Sequence, residues 1–172
     1  MLQASPPVLT RQKRIVELIA DGCFNEEVGE RLGITIHVGE EGGDAGIEEI
    51  AEVIETLRPD RIGHGILAAR DPELMETLRA TEIVLEICPT SNLLTKALDS
   101  EEALRDTFRA FTGNEVLFTI ATDGPEMMRT HLRDEFELLV RIGALEREQL
   151  PIANERGHAA SFVRREPVLP AA

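Results

Sequence analysis

The sequence has no Trp and no Tyr, and its 6 Phe are the whole aromatic complement. It therefore lacks the stacking platform on which single-stranded nucleic acid is bound. Basic residues are scarce: 18 Lys and Arg stand against 32 Asp and Glu, for a net charge of −14. A chain so acidic is repelled by nucleic-acid phosphate and by anionic lipid, so nucleic acid and membranes are poor partners. Only 2 Cys occur, Cys23 and Cys88, with neither a CxxC pair nor a disulfide framework. No apolar run approaches the ~20 residues that span a membrane. The opening MLQASPPVLTRQKR has no apolar stretch behind its charges and does not read as a secretory signal. These absences point to a cytoplasmic protein.

What is present suffices for one ordinary domain: 172 residues, 42% of them hydrophobic. Three stretches are expected: a helical segment over 1–33, a main body over 34–163 and a tail over 164–172. In the first, Ile15, Val16, Leu18 and Ile19 have helical spacing, and Asp21-Gly22 breaks it. Asn25 starts a second short helix, which Gly33 ends.

In the main body short apolar runs alternate with amphipathic helices. Ile34 to Val38, Arg61 to Gly65, Ile83 to Cys88 and Val116 to Thr122 read as strands. Ile47, Ile50, Ala51, Ile54 and Leu57 make one helical face. Asp71-Pro72 starts a helix whose apolar side is Leu74, Met75 and Leu78. Ser100 caps another, with Ala103, Leu104, Thr107 and Phe108 inward, and a long helix is expected over roughly Thr130 to Ile142. Such alternation predicts an α/β fold of parallel βα units. Periodicity alone leaves open whether the four strands form a doubly wound sheet or half of a (β/α)8 barrel.

Parallel βα folds carry their chemistry at the carboxyl ends of the strands. Three of the four strands end in groups suited to a metal or to proton transfer: His37-Val38-Gly39-Glu40, Gly63-His64-Gly65 and Thr122-Asp123-Gly124-Pro125. The remaining strand ends in Cys88-Pro89-Thr90-Ser91-Asn92, polar but less reactive. Imidazole and carboxylate suit Zn²⁺, and a carboxylate or second His beside it can move protons. Each group taken alone also has a plain reading, as a hydrogen-bonded structural His or a turn Asp.

Together these segments resemble the adenosine deaminase family of metal-dependent purine deaminases. IHVGEEGG resembles that family's HAGE segment, RIGHG and LEICPTSNLLT match its next two motifs, and TIATDGP resembles its TDDP segment. The resemblance implies the C-terminal half of a (β/α)8 TIM-barrel metal-dependent hydrolase, here preceded by two short helices. It implies Zn²⁺ held by His37 and Asp123. It implies that Glu40 protonates a purine ring nitrogen and that His64 positions or deprotonates the attacking water. Gly39 and Gly124 are the positions it sets against the substrate, a purine nucleoside. The reaction implied is hydrolytic removal of an exocyclic amine as ammonia.

Two departures from the family pattern stand out. Gly124 replaces the second Asp of TDDP, which engages the five-membered ring of the purine. The family's H-x-H pair, which supplies two further zinc ligands, is absent: the only His are His37, His64, His131 and His158. Catalytic zinc usually has three protein ligands plus water, and two are identified here.

LTRQKRIVELIADGCFNEEVGERLGIT, over about 9–35, resembles the start of a LuxR-type helix-turn-helix, but the chain then turns into IHVGEEGG where a recognition helix would follow. Residues 1–36 hold four basic and five acidic side chains, net −1, which disfavours DNA. A fusion or truncation joined near there is the expectation. A half-barrel exposes sheet edges, so a homodimer through those edges is also expected, unless the N-terminal helices cover one. Three functions remain open from sequence: a zinc-dependent deaminase, an inactive fragment acting as an interaction module, and a DNA-binding regulator.

Overall fold

The computed structural model describes residues 33–162. Residues 35–160 form one compact unit, and residues 1–34 with 161–172 belong to another. The expected helices before Gly33 and the tail from 164 lie outside the described residues.

Four short parallel strands run β1 (Thr35–Val38), β2 (Arg61–His64), β3 (Val84–Ile87) and β4 (Phe118–Ile120). They pair in sequence order, β1-β2-β3-β4. A doubly wound sheet reverses its order at a switch point, and a barrel does not. This order is that of a barrel segment, with its crossover helices on one face.

The helices follow their start signals. α1 (Asp44–Leu57) joins β1 to β2. A 3₁₀ turn (Ile66–Arg70) and α2 (Pro72–Thr81) join β2 to β3. Asp71 Oδ1 accepts from the Glu73 and Leu74 amides, with Pro72 at the first helical position. After β3 come α3 (Pro89–Leu94) and α4 (Glu101–Gly113), the latter capped by Ser100 Oγ on the Ala103 amide. The long helix expected over roughly Thr130 to Ile142 is α6 (Leu132–Arg141), and a four-residue helix not expected from sequence, α5 (Pro125–Met128), precedes it. Between them Arg129 is left-handed (φ 50°), and Asp134 Oδ2 accepts from the His131 amide, which starts α6 afresh. His131 is therefore a cap, not a mid-helix residue. α7 (Leu150–Ala159) closes the described chain.

The register aligns Ile36, Ile62, Leu85 and Phe118 on one side of the sheet. This side packs against Ile50, Ile54, Leu74, Leu78, Leu104 and Phe108 to form the core. Ala51 and Leu57, expected on the inner face of α1, are exposed; Gly46 is buried there instead. The opposite side carries Thr35, His37, Arg61, Gly63 and Glu86, with Glu86 accepting from Arg61 Nη1 (2.8 Å) and Thr35 Oγ1 (2.7 Å).

The two sheet edges differ. Arg156 of α7 lies 5.9 Å from the centroid of the Phe118 ring. Its neighbour Gly157 approaches Thr119 so closely that a Cβ would stand 2.5 Å from Oγ1. Phe118 and Thr119 point to opposite faces, so α7 lies across the free side of β4. β1 pairs on one side only among the described residues.

Candidate active site

The polar groups gather where the strands end. β1 runs out at Val38, and the chain turns through Gly39 at φ 72°. A Cβ on Gly39 would stand 2.3 Å from Ile50 Cδ1, so both conformation and space require glycine there. The turn brings Glu40 over the end of the sheet. The Gly65 amide donates to Val38 O (3.0 Å) and the Leu67 amide to Gly39 O (3.1 Å), which fastens the two strand-end loops together.

His37 sits opposite Gly63, whose missing side chain leaves room beside the imidazole. His64 ends β2 in the left-handed region, φ 60°, which takes it off the strand's alternation. The His37 and His64 rings lie 4.5 Å apart between centroids, tilted by 60°. Glu40 Oε2 is 3.4 Å from His37 Nε2 and 3.6 Å from His64 Nε2. The three side chains are graded in exposure, at 65% for His37, 15% for Glu40 and 2% for His64. Burial lowers the pKa of His64 from its ordinary value, against the opposing pull of the Glu40 charge. A neutral imidazole, fit to accept a proton or to bind a cation, is the result.

A second set of residues holds these groups, and the sequence reading passed over it as merely polar. Asn92 of α3, fully buried, places its amide 2.7 Å from His64 Nδ1 and donates to Glu40 Oε1 (3.3 Å). Thr95 Oγ1 donates to the same Glu40 oxygen at 3.0 Å. Glu40 is thus gripped at Oε1 and presents Oε2 to the two imidazoles. Asp123, at φ 57° after β4, is exposed and accepts from Ser91 Oγ at 2.9 Å. Its charge is felt at His64, but its carboxylate is outside the close cluster of His37, Glu40 and His64. Gly124 follows, and the nearest atoms to a Cβ there would be those of the Met127 side chain, Cε at 3.2 Å and Cβ at 3.8 Å.

One ligand atom from each of His37, Glu40 and His64 lies within 4.8 Å of the others. In a tetrahedral shell with bonds of about 2.0–2.2 Å, neighbouring donors stand about 3.3–3.6 Å apart. The His–Glu separations of 3.4 and 3.6 Å fall in that range, so the group fits a divalent ion. His131 and His158 are exposed and stand outside this cluster. No described helix is long and apolar enough to cross a membrane.

The chain is similar to known proteins over most of its length. The adenosine deaminase family profile matches residues 15–168, which takes in most of the stretch that resembles a helix-turn-helix. An adenosine deaminase of Erwinia tasmaniensis is 34% identical over 144 residues, covering 83% of this chain and 42% of that protein. An aminodeoxyfutalosine deaminase of Acidothermus cellulolyticus is 38% identical over 125 residues, covering 70% of this chain and 35% of that one. The solved N6-methyl-AMP deaminase of Arabidopsis thaliana superposes with a TM-score of 0.64 at 27% identity, over 77% of this chain and 37% of its own. The adenine deaminase of Arthrobacter aurescens, at 22% identity and a TM-score of 0.67, shares the fold. The chain spans about two fifths of the length of the curated relatives it matches. By the match along residues 15–168 and by its identity to these relatives, the chain belongs to the adenosine deaminase family.

Proposed function

We propose that this chain carries the catalytic half of a zinc-dependent deaminase acting on an adenine nucleoside or a close relative. The observation that supports this most is the meeting of His37, Glu40 and His64 at the carboxyl ends of two adjacent strands, with Asp123 at the end of β4. In this reading His37 would hold the zinc together with Asp123, whose carboxylate stands outside the close cluster of His37, Glu40 and His64, and Glu40 and His64 would serve in proton transfer. Bound zinc supplies Lewis acidity that lets a water ionise near neutral pH.

The rest is done by the chain. His64, neutral and accepting at Nδ1 from the Asn92 amide, carries its proton on Nε2 and there positions the attacking water, whose proton passes on to the leaving amine. Asp123, held by Ser91, orients that water. Glu40, gripped by Asn92 and Thr95, gives a proton to the purine ring nitrogen beside the reacting carbon. A carbon–oxygen bond forms, the carbon–nitrogen bond breaks, and the exocyclic amine leaves as ammonia. Gly39 lets the loop approach the base, and Gly124 leaves open the place of a side chain that would meet its five-membered ring.

The substrate is an adenine-type purine: adenosine, or one of the relatives' substrates named in N6-methyl-AMP, adenine and aminodeoxyfutalosine deaminases. Ammonia release from the purified chain with added Zn²⁺, over a panel of these compounds, tests the reading. Turnover that disappears in Glu40→Gln supports it. A folded chain that releases no ammonia from any of them refutes it.

A further inference from the structure

Glu135 is a fully buried acidic side chain that the proposed chemistry does not use. It lies in the first half of α6, remote in sequence from the motifs at the strand ends. Its Oε2 accepts from the Thr90 amide (2.9 Å) and from Thr90 Oγ1 (3.0 Å). Its Oε1 accepts from Thr130 Oγ1 at 2.8 Å. Three donors converge on two oxygens, and all three are neutral.

The placement of those donors gives the arrangement its meaning. Thr90 opens α3 directly after Pro89, where a helix amide has no acceptor of its own helix. The next two residues of α3 are Ser91 and Asn92, both fully buried. Ser91 holds Asp123, and Asn92 holds His64 and Glu40. Thr130 is buried at the far end of the loop that begins with Asp123 and Gly124. Glu135 therefore ties the start of α3 to the end of the β4 loop, the two segments that must keep register for Ser91 to reach Asp123.

We propose that Glu135 is a positioning residue, which through Thr90 and Thr130 sets Ser91 and Asn92 against Asp123, His64 and Glu40. A carboxylate accepts all three bonds as they stand. Glutamine keeps the Thr90 bonds only by turning its NH₂ toward Thr130, whose hydroxyl must then reverse from donor to acceptor, and alanine leaves a buried amide without an acceptor. The effect on turnover rests on the deaminase reading; the effect on the site's geometry does not.

The experiment compares the full chain with Glu135→Gln, reading the histidine side-chain ¹⁵N resonances at one pH alongside ammonia release. His64→Asn assigns the His64 signals. Expected is a folded Glu135→Gln chain in which the His64 resonances shift or broaden while those of His158 stay put. With a substrate that the unaltered chain turns over, kcat falls on the order of 100-fold with KM nearly unchanged, as for a site displaced by about 1 Å. In a double-mutant cycle the loss caused by Ser91→Ala shrinks in the Glu135→Gln background. Unmoved His64 resonances in a folded variant overturn the proposal, and so does an equal disturbance at all four histidines. If Glu135→Gln does not fold, Thr130→Val removes one of the three bonds and is read in the same way. A chain without turnover defeats the deaminase reading alone, since the resonances still decide the role of Glu135.

Discussion

His64 and Asp123 are both non-glycine residues in the left-handed region, φ 60° and 57°, each at the end of a strand. Such a conformation costs an L-residue about 1–2 kcal/mol and persists where its surroundings impose it. Buried Asn92 and Ser91 are those surroundings. The division of roles among the four site residues is open to a direct test by zinc titration calorimetry. Asp123→Asn is expected to weaken zinc binding more than tenfold, and Glu40→Gln to leave it within about threefold while lowering turnover by a factor of about 100 or more. Loss of zinc in Glu40→Gln with retention in Asp123→Asn would instead place the ion on His37, Glu40 and His64. Gly124 can accept a side chain if Met127 gives way slightly, because its tightest contact would be the flexible end of Met127, Cε at 3.2 Å. Gly124→Asp is expected to fold normally and to raise kcat/KM for adenosine relative to the other purines of the panel. Burial, reinforced by the Asp123 charge, pushes the Cys88 thiol up to about 12. Native Cys88 should therefore resist iodoacetamide at pH 8, as peptide mapping would report. The unfolded thiol ionises near its ordinary value of 9.0 and the folded one near 12, so the unfolded state sheds its proton first. Stability then falls as pH rises through that window, by up to about 1.4 kcal/mol per pH unit. Cys88→Ala should flatten the fall, and an unchanged slope would count against the assignment.

At the scale of elements, the helix starts were legible because they are local. Asp71-Pro72 and Ser100 are caps whose partners lie two or three residues away. Asp71→Ala is expected to cost about 1 kcal/mol in urea denaturation. Turnover should change little, since α2 begins away from the site. The strand centres at Ile36, Ile62, Leu85 and Phe118 were equally plain, although each strand is shorter than its apolar run. The ends Ile83, Cys88, Val116 and Thr122 are apolar or β-branched and fit a strand by composition, but ladder pairing stops before them. α5 was not expected, because four residues are too few to show a periodic pattern. α3 was missed for a related reason: PTSNLL is one polar turn, too short for a periodic pattern.

For the whole molecule, the sequential strand order gives β3 two neighbours and β1 one among the described residues. Amide hydrogen exchange should accordingly be slowest at Leu85 and Ile87 and faster along β1. Two half-barrels closing on each other would need β1 of one copy to pair with β4 of the other, and α7 lies across the free side of β4. We propose that a homodimer through a sheet edge would use β1, which has one partner strand among the described residues. Two-fold symmetry would then pair the β1 strands antiparallel into one continuous sheet. A strictly monomeric chain in sedimentation across micromolar concentrations would remove that possibility. That His37, Glu40, His64 and Asp123 stand at the ends of strands was legible from the amino-acid sequence, because each lies at the end of an apolar run and parallel strands bring such ends together. So were the parallel βα class and the family likeness, which rest on short ordered motifs. Tertiary structure alone decided that Glu40 joins the two imidazoles while Asp123 is held apart by Ser91. It also decided that Asn92 grips His64, that Glu135 joins two loops, and that a C-terminal helix covers β4. These contacts span from 28 to 55 residues of sequence, and only the packed sheet sets their distances.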